Sequence, residues 1–149
     1  MNGTDMYEKI LGIDMGERRI GLALSDGLGL LAHPLLTLPW KGVENLIKEL
    51  NRIIDRESVK KLVIGVPFTM KGSHSAKTEQ VKNIIEQLRQ QLRVEIIEID
   101  ERLTTKMAER IFQSLGKQPS KNRDKIDQLA AVFILQTYLD QIHLLRRGE

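Results

Sequence analysis

Leu62-Val63-Ile64-Gly65-Val66 form an unbroken apolar run that Pro67 stops. Its length is that of a strand, and a strand apolar on both faces needs a covering layer on each side, as in the centre of a parallel sheet. The chain must therefore supply helices for two faces. Val43, Leu46, Ile47, Leu50, Ile53 and Ile54 recur at helical spacing, with charges between them, over about 43–57. Val81, Ile84, Ile85, Leu88 and Leu92 repeat the pattern behind Ser75, a suitable helix cap. A last helix is predicted over about 125–145.

Upstream, two runs at about 8–14 and 19–25 flank a short glycine-containing turn and read as an antiparallel hairpin. A third run, about Leu30 to Leu38, extends the meander, with Pro34 confining it to an edge or a bulge. Val94 to Ile99 is the next strand, and Thr104 or Thr105 caps a helix ending near Leu115, ahead of Gly116. The order is a three-strand meander followed by α-β-α-β-α-α. It predicts an α/β fold, a mixed five-stranded sheet with helices on both faces. Ligands in such sheets gather beyond the carboxyl ends of the parallel strands.

The 149 residues suit one domain spanning 1–149. The longest stretch free of Lys, Arg, Asp and Glu, Gly27 to Trp40, is shorter than a bilayer needs and holds Pro34 and Pro39, so no membrane span is expected. The polar start Met1-Asn2-Gly3-Thr4-Asp5 does not resemble a secretion signal. With no cysteine, thiolate metal sites and cysteine nucleophiles are excluded, and a reducing cytoplasm fits. The net charge of +3 is unevenly spread. Arg102, Lys106, Arg110, Lys117, Lys121, Arg123 and Lys125 face only Glu109 and Asp124 in their segment, which suits either a polyanion or a solvated helix face with its loop.

Asp14 closes the first run, Ile10-Leu11-Gly12-Ile13-Asp14. A carboxylate at the mouth of a buried strand costs several kcal/mol unless a cation meets it. Glu101 follows the fifth strand directly, and Asp127 lies in the first turn of the last helix, so all three are expected at one rim. Converging carboxylates repel unless a hard cation joins them, and Mg²⁺ with oxygen ligands fits better than zinc, since histidines do not cluster here. Two such ions about 4 Å apart would support in-line hydrolysis of a phosphodiester. Each acid also has a plainer role: Asp14 as a turn cap or partner of Arg18 or Arg19, Glu101 as a surface residue beside Arg102, and Asp127 in the first turn of a helix capped by Asp124.

Gly12-Ile13-Asp14-Met15-Gly16 with Arg19-Ile20-Gly21-Leu22-Ala23 and Ser25-Asp26, then Val63-Ile64-Gly65-Val66-Pro67, Asp100-Glu101-Arg102-Leu103-Thr104-Thr105, and Asp127 with Ala130-Ala131 and Ile134-Leu135 resemble the YqgF/RuvX family. The resemblance covers nearly the whole chain. It implies an RNase H-like fold related to the Holliday-junction resolvase RuvC, and a bacterial cytoplasmic nuclease that processes the 5′ end of pre-16S ribosomal RNA. It also implies a divalent-metal site, Mg²⁺ or Mn²⁺, carried onto Asp14, Glu101 and Asp127. Related enzymes often use four acids; Asp124 is one helical turn from Asp127, with helix capping as its alternative role.

Nucleic-acid contacts are expected from Lys71 and Ser73, in a loop that suits a phosphate or a plain surface turn, and from Arg102, which suits a phosphate or a pairing with Asp100 or Glu101. Lys121, Arg123 and Lys125 extend the set. His74 is a candidate proton carrier, and Phe68 is the one aromatic residue placed for base stacking, which favours backbone and shape recognition over base reading. Structured DNA is the alternative substrate, and a nucleic-acid-binding module without catalysis is the main rival. Gly-Ile-Asp-x-Gly also resembles the first phosphate motif of actin-like sugar kinases, whose two lobes this chain is too short to build. Monomer and homodimer are both open.

Overall fold

A computed structural model describes residues 8–69, 71–102, 110, 113–114, 116 and 123–147. Five strands form one sheet: β1 (Lys9–Met15), β2 (Arg19–Ser25), β3 (Ala32–Pro39), β4 (Val59–Val66) and β5 (Glu95–Asp100). Their spatial order is β3-β2-β1-β4-β5. The first three strands pair antiparallel, whereas β1–β4 and β4–β5 are parallel, giving the expected mixed sheet. Pro34 lies on the edge strand β3, opposite Ala23, where the register shifts. A residue without an N–H is tolerated at such a place because no ladder bond is lost.

Helices α1 (Val43–Glu57) and α2 (Ala76–Gln91) cover one face, and α3 (Arg123–Arg147) covers the other. The alternation of side chains along each strand decides which residue faces which helix. In β1, Leu11, Ile13 and Met15 join the core under α1 and α2, while Ile10 points to the α3 side. In β4, Leu62, Ile64 and Val66 join the first core and Val63 the second. In β5, Ile97 and Ile99 pack on the α3 side. Asp14 is in phase with Ile10, and Glu101 with Ile97 and Ile99, so the alternation assigns both acids to the α3 face.

Strand glycines let α3 come close. A Cβ on Gly12 would lie 2.7 Å from Leu135 Cβ and 3.0 Å from the Ala131 carbonyl oxygen, and one on Gly21 would overlap the Asp127 carbonyl. Ala130 and Ala131, both fully buried, complete the close contact from the helix side.

At the opposite face, a capping box sets the start of α2. Ser75 Oγ accepts from the Thr78 N–H at 3.2 Å, and Thr78 Oγ1 accepts from the Ser75 N–H at 3.1 Å. The Thr78 hydroxyl also donates to the Pro67 carbonyl, tying the helix start to the carboxyl end of β4. Helix α3 begins two residues earlier than its periodicity indicates, so Asp124 lies inside its first turn and Asp127 one turn further on. Thr104, Thr105 and most of the helix expected behind them lie outside the described residues, as does Lys121. Among the described residues no helix is long and apolar enough to cross a membrane.

Candidate active site

The parallel strands β1, β4 and β5 end at one rim, and the register brings the acids there. Asp14 pairs across the hairpin with Gly21, the residue that lies beneath the Asp127 backbone. Asp100 pairs with Val66, and the next N–H, of Glu101, donates to the Val66 carbonyl at 3.1 Å. Gly65 then makes room for the acid. A Cβ there would stand 2.5 Å from Glu101 Oε2 and 2.9 Å from Glu101 Cβ, so only glycine lets this carboxyl lie against β4.

Asp14 and Glu101 are both buried, and their carboxyl groups are in hydrogen-bonding contact. Two carboxylates cannot share such a place while both are ionised. Burial, then the Asp14 charge and its hydrogen bond, push the Glu101 carboxyl up to about 10, with Lys77 pulling the other way. Burial also raises Asp14; its bond to Glu101 opposes this, the Asp127 charge adds to it, and Lys77 lowers it again. Among the described residues Glu101 Oε2 has no hydrogen-bond partner although it is buried. An orphaned carboxylate oxygen beside a second buried carboxyl is a donor set for a hard cation: oxygen ligands that are destabilised until a positive charge arrives.

Asp127 stands close enough for its charge to act on Asp14, but its carboxylate is engaged elsewhere. Arg19 Nε donates to Asp127 Oδ2 at 2.8 Å, across 108 positions of sequence, and lies 3.8 Å from Asp124 Oδ1. Burial raises the Asp127 carboxyl, and Arg19 offsets part of that rise. The pairing of Arg19 with Asp14 that the turn spacing allows is therefore not the one adopted. Asp124 is exposed and sits beside Arg19 rather than among the acids. Among the described residues no three acidic or histidine side chains are already gathered as a ligand set.

The remaining candidates fall in two groups. Arg102 is committed to Asp100, through Nε at 2.7 Å and Nη2 at 2.5 Å, with its own N–H on Asp100 Oδ1 at 3.1 Å. Ser73 is bound into its loop, its hydroxyl 2.6 Å from that of Thr69. His74 Nδ1 lies 2.6 Å from Glu79 Oε1 and is exposed, so its hydrogen bond goes to α2 and not to the acids. Phe68 packs on the core, with His74 at 5.4 Å and the Lys82 ammonium at 5.9 Å from its ring. Its ring is thus occupied by protein neighbours. Lys71 and Lys125 are exposed.

Arg123 lines a polar cleft of about 630 Å³ with Gly16, Glu17, Arg18, Arg19, Lys77 and Asp127. From sequence Arg18 stands out only as a possible partner of Asp14, and Lys77 does not stand out at all. A lysine in the first turn of an amphipathic helix looks like a solvated residue, and only the capping of α2 beside Pro67 reveals where it points.

A family model described as RuvX, Holliday junction resolvase, matches residues 8–141. A protein of Chloroflexus aggregans named "Putative pre-16S rRNA nuclease" is 40% identical over 133 residues, covering 89% of this chain and 94% of that protein. One of the same name from Acetivibrio thermocellus is 41% identical over 134 residues, covering 89% and 95%. Among solved structures, Thermus thermophilus RuvC bound to a Holliday junction superposes with a TM-score of 0.53 at 17% identity, covering 89% of this chain and 94% of that one. The fowlpox virus resolvase in complex with junction DNA gives 0.56 at 12%, covering 90% and 98%. The fold is that of the RuvC-type, RNase H-like resolvases, and the chain belongs to the RuvX family.

Proposed function

We propose that this protein is a divalent-metal-dependent nuclease that hydrolyses phosphodiester bonds in RNA and acts in maturation of the 5′ end of 16S ribosomal RNA in the cytoplasm. The observation that carries the metal-dependent chemistry is the buried Asp14–Glu101 pair with its orphaned Oε2. Such a pair is a cost to the fold unless it binds a cation. The names of the relatives, at about 40% identity over most of both chains, support the ribosomal substrate.

In this reading Asp14 and Glu101 hold Mg²⁺ or Mn²⁺, with Asp127 completing the set. The ion supplies an activated water and charge stabilisation at the leaving oxygen. The chain's own residues do the rest. Arg19 opposes the rise that burial imposes on the Asp127 carboxyl and fixes its orientation, so that the side chain is in place when substrate arrives. Lys77 brings positive charge to the acidic pair. Arg18, Arg19, Lys77 and Arg123 surround the polar cleft and would neutralise the phosphates of a strand laid along it.

Cleavage of a pre-16S-like RNA, of single-stranded RNA and of a four-way DNA junction, each with Mg²⁺ or Mn²⁺, tests the assignment together with Asp14→Asn and Asp127→Asn. RNA cleavage that falls at least a hundredfold in both variants is expected. Unchanged activity in both overturns the site. Cleavage of the junction alone makes the protein a resolvase, and binding without cleavage in every metal makes it a non-catalytic module.

A further inference from the structure

A second cleft, of about 530 Å³, lies on the α2 side of the β1–β2 turn. It shares Gly16, Glu17 and Lys77 with the polar cleft at Asp127, so the two meet at the rim. Its chemistry differs. Trp40, Val81, Ile84 and Met15 give it an apolar wall, and Gln80 and Asn83 add two side-chain amides.

Trp40 is the only tryptophan of the chain. It is half-buried: it packs against the core beneath α1 and α2, and its backbone N–H donates to the Arg18 carbonyl at 2.9 Å, which pins it beside the turn. Lys77, Gln80 and Ile84 fall at i, i+3 and i+7 of α2 and therefore form one stripe, which lines the cleft together with that indole. Gln80 and Asn83 are exposed, and neither side-chain amide is engaged in a hydrogen bond among the described residues. The cleft thus brings together an ammonium, side-chain amide donors and acceptors, and an aromatic ring. A nucleotide carries the matching set: a phosphate, the polar edge of the base, and its flat face.

Resting on the nuclease reading, we propose that this cleft receives an unpaired nucleobase of the strand whose backbone occupies the neighbouring polar cleft. The base stacks on Trp40, its edge meets Gln80 and Asn83, and its phosphate lies near Lys77. A second phosphate suits the cleft poorly, because its lining holds one cation, Lys77, and the wall behind is apolar. A base held in a duplex is stacked and paired on all sides and cannot enter, so the cleft selects strands that are single or locally opened next to the scissile bond.

The test uses the full chain in a chelator, where cleavage does not occur. Its probes are a ten-nucleotide oligo(A) RNA, a ten-unit abasic ribose-phosphate strand of equal charge, and an RNA duplex. Base–aromatic stacking contributes about 1–3 kcal/mol, so oligo(A) is expected to bind about fivefold or more tighter than the abasic strand and to quench Trp40 fluorescence, with little quenching by the duplex. Trp40→Leu should reduce the oligo(A) preference to within about twofold without changing abasic binding. Gln80→Ala combined with Asn83→Ala, on the exposed surface of α2 and away from the core, should also lower the preference by removing the amides that meet the base edge, and remains informative if Trp40→Leu misfolds. Equal affinity for oligo(A) and the abasic strand, without quenching, overturns this inference alone. Absence of binding to any strand at low salt overturns the strand-binding reading beneath it as well.

Discussion

Replacing Glu101 by Gln preserves the shape of the side chain and removes a carboxyl that burial and Asp14 push up to about 10. In the unfolded chain that group ionises near the ordinary glutamate value of 4.5. Between the two values the folded protein holds a proton that the unfolded chain has lost, so stability falls as pH rises across this window. Each pH unit above the unfolded value costs about 1.4 kcal/mol, which sets a ceiling of about 5 kcal/mol at pH 8 and under about 1 kcal/mol at pH 5. Gln carries no such proton, and its amide can donate to Asp14 in place of the shared one. Because the pair titrates as a unit, part of the ceiling belongs to Asp14, and a gain of about 2–4 kcal/mol at pH 8 is expected. That corresponds to a rise in Tm of about 5–15 °C. Denaturant unfolding in a chelator at pH 5 and pH 8 measures it directly. Millimolar Mg²⁺ should shrink the difference by stabilising the natural protein, since the ion binds the folded state. No gain at pH 8, or an equal gain at both pH values, refutes the argument that an uncompensated buried acid pair strains this fold.

Two further perturbations probe how the pair is held. Gly65→Ala puts a Cβ 2.5 Å from both Glu101 Oε2 and Ile134 Cδ1, so the carboxyl must move; a stability loss of about 1–3 kcal/mol and a fall of about a hundredfold in kcat are expected, and full activity refutes the close fit. Arg19→Met removes the cation that offsets the burial of Asp127, so the acid limb of the pH–rate profile should move to higher pH, and an unmoved limb shows that Asp127 titrates independently of Arg19.

Where the sequence carried a local reason for an element, the structure follows it. The periodicity of Val43 to Glu57 matches α1 from end to end, because every apolar position in it serves one face. Ser75 caps α2 because its oxygen and that of Thr78 satisfy each other's N–H groups within four residues. Pro34 sits at the irregular edge of the sheet for want of an N–H. Boundaries fixed by distant contacts were less legible. Strand β4 begins at Val59, ahead of its apolar run, since pairing with β1 extends it through Lys60 and Lys61.

The site divides along the same line. That Asp14 and Glu101 end parallel strands follows from the order of elements, and their meeting follows from strand alternation. Which cation answers which acid does not, because Arg19 reaches Asp127 across the whole fold and Lys77 arrives from a helix start. One signal was present and informative: glycines at 12, 21 and 65 interrupt strands that otherwise favour large side chains, and an isolated strand glycine marks close approach of another group. All three open toward α3 or the Glu101 carboxyl. The missing side chains let the helix settle against the sheet, and that closeness removes water from the acids beneath it. Desolvation is the largest cause of the raised Asp14 and Glu101 carboxyls, so the packing that closes the second core also builds the proposed cation site. A substitution that loosens α3 should therefore weaken metal binding even when it touches no acid.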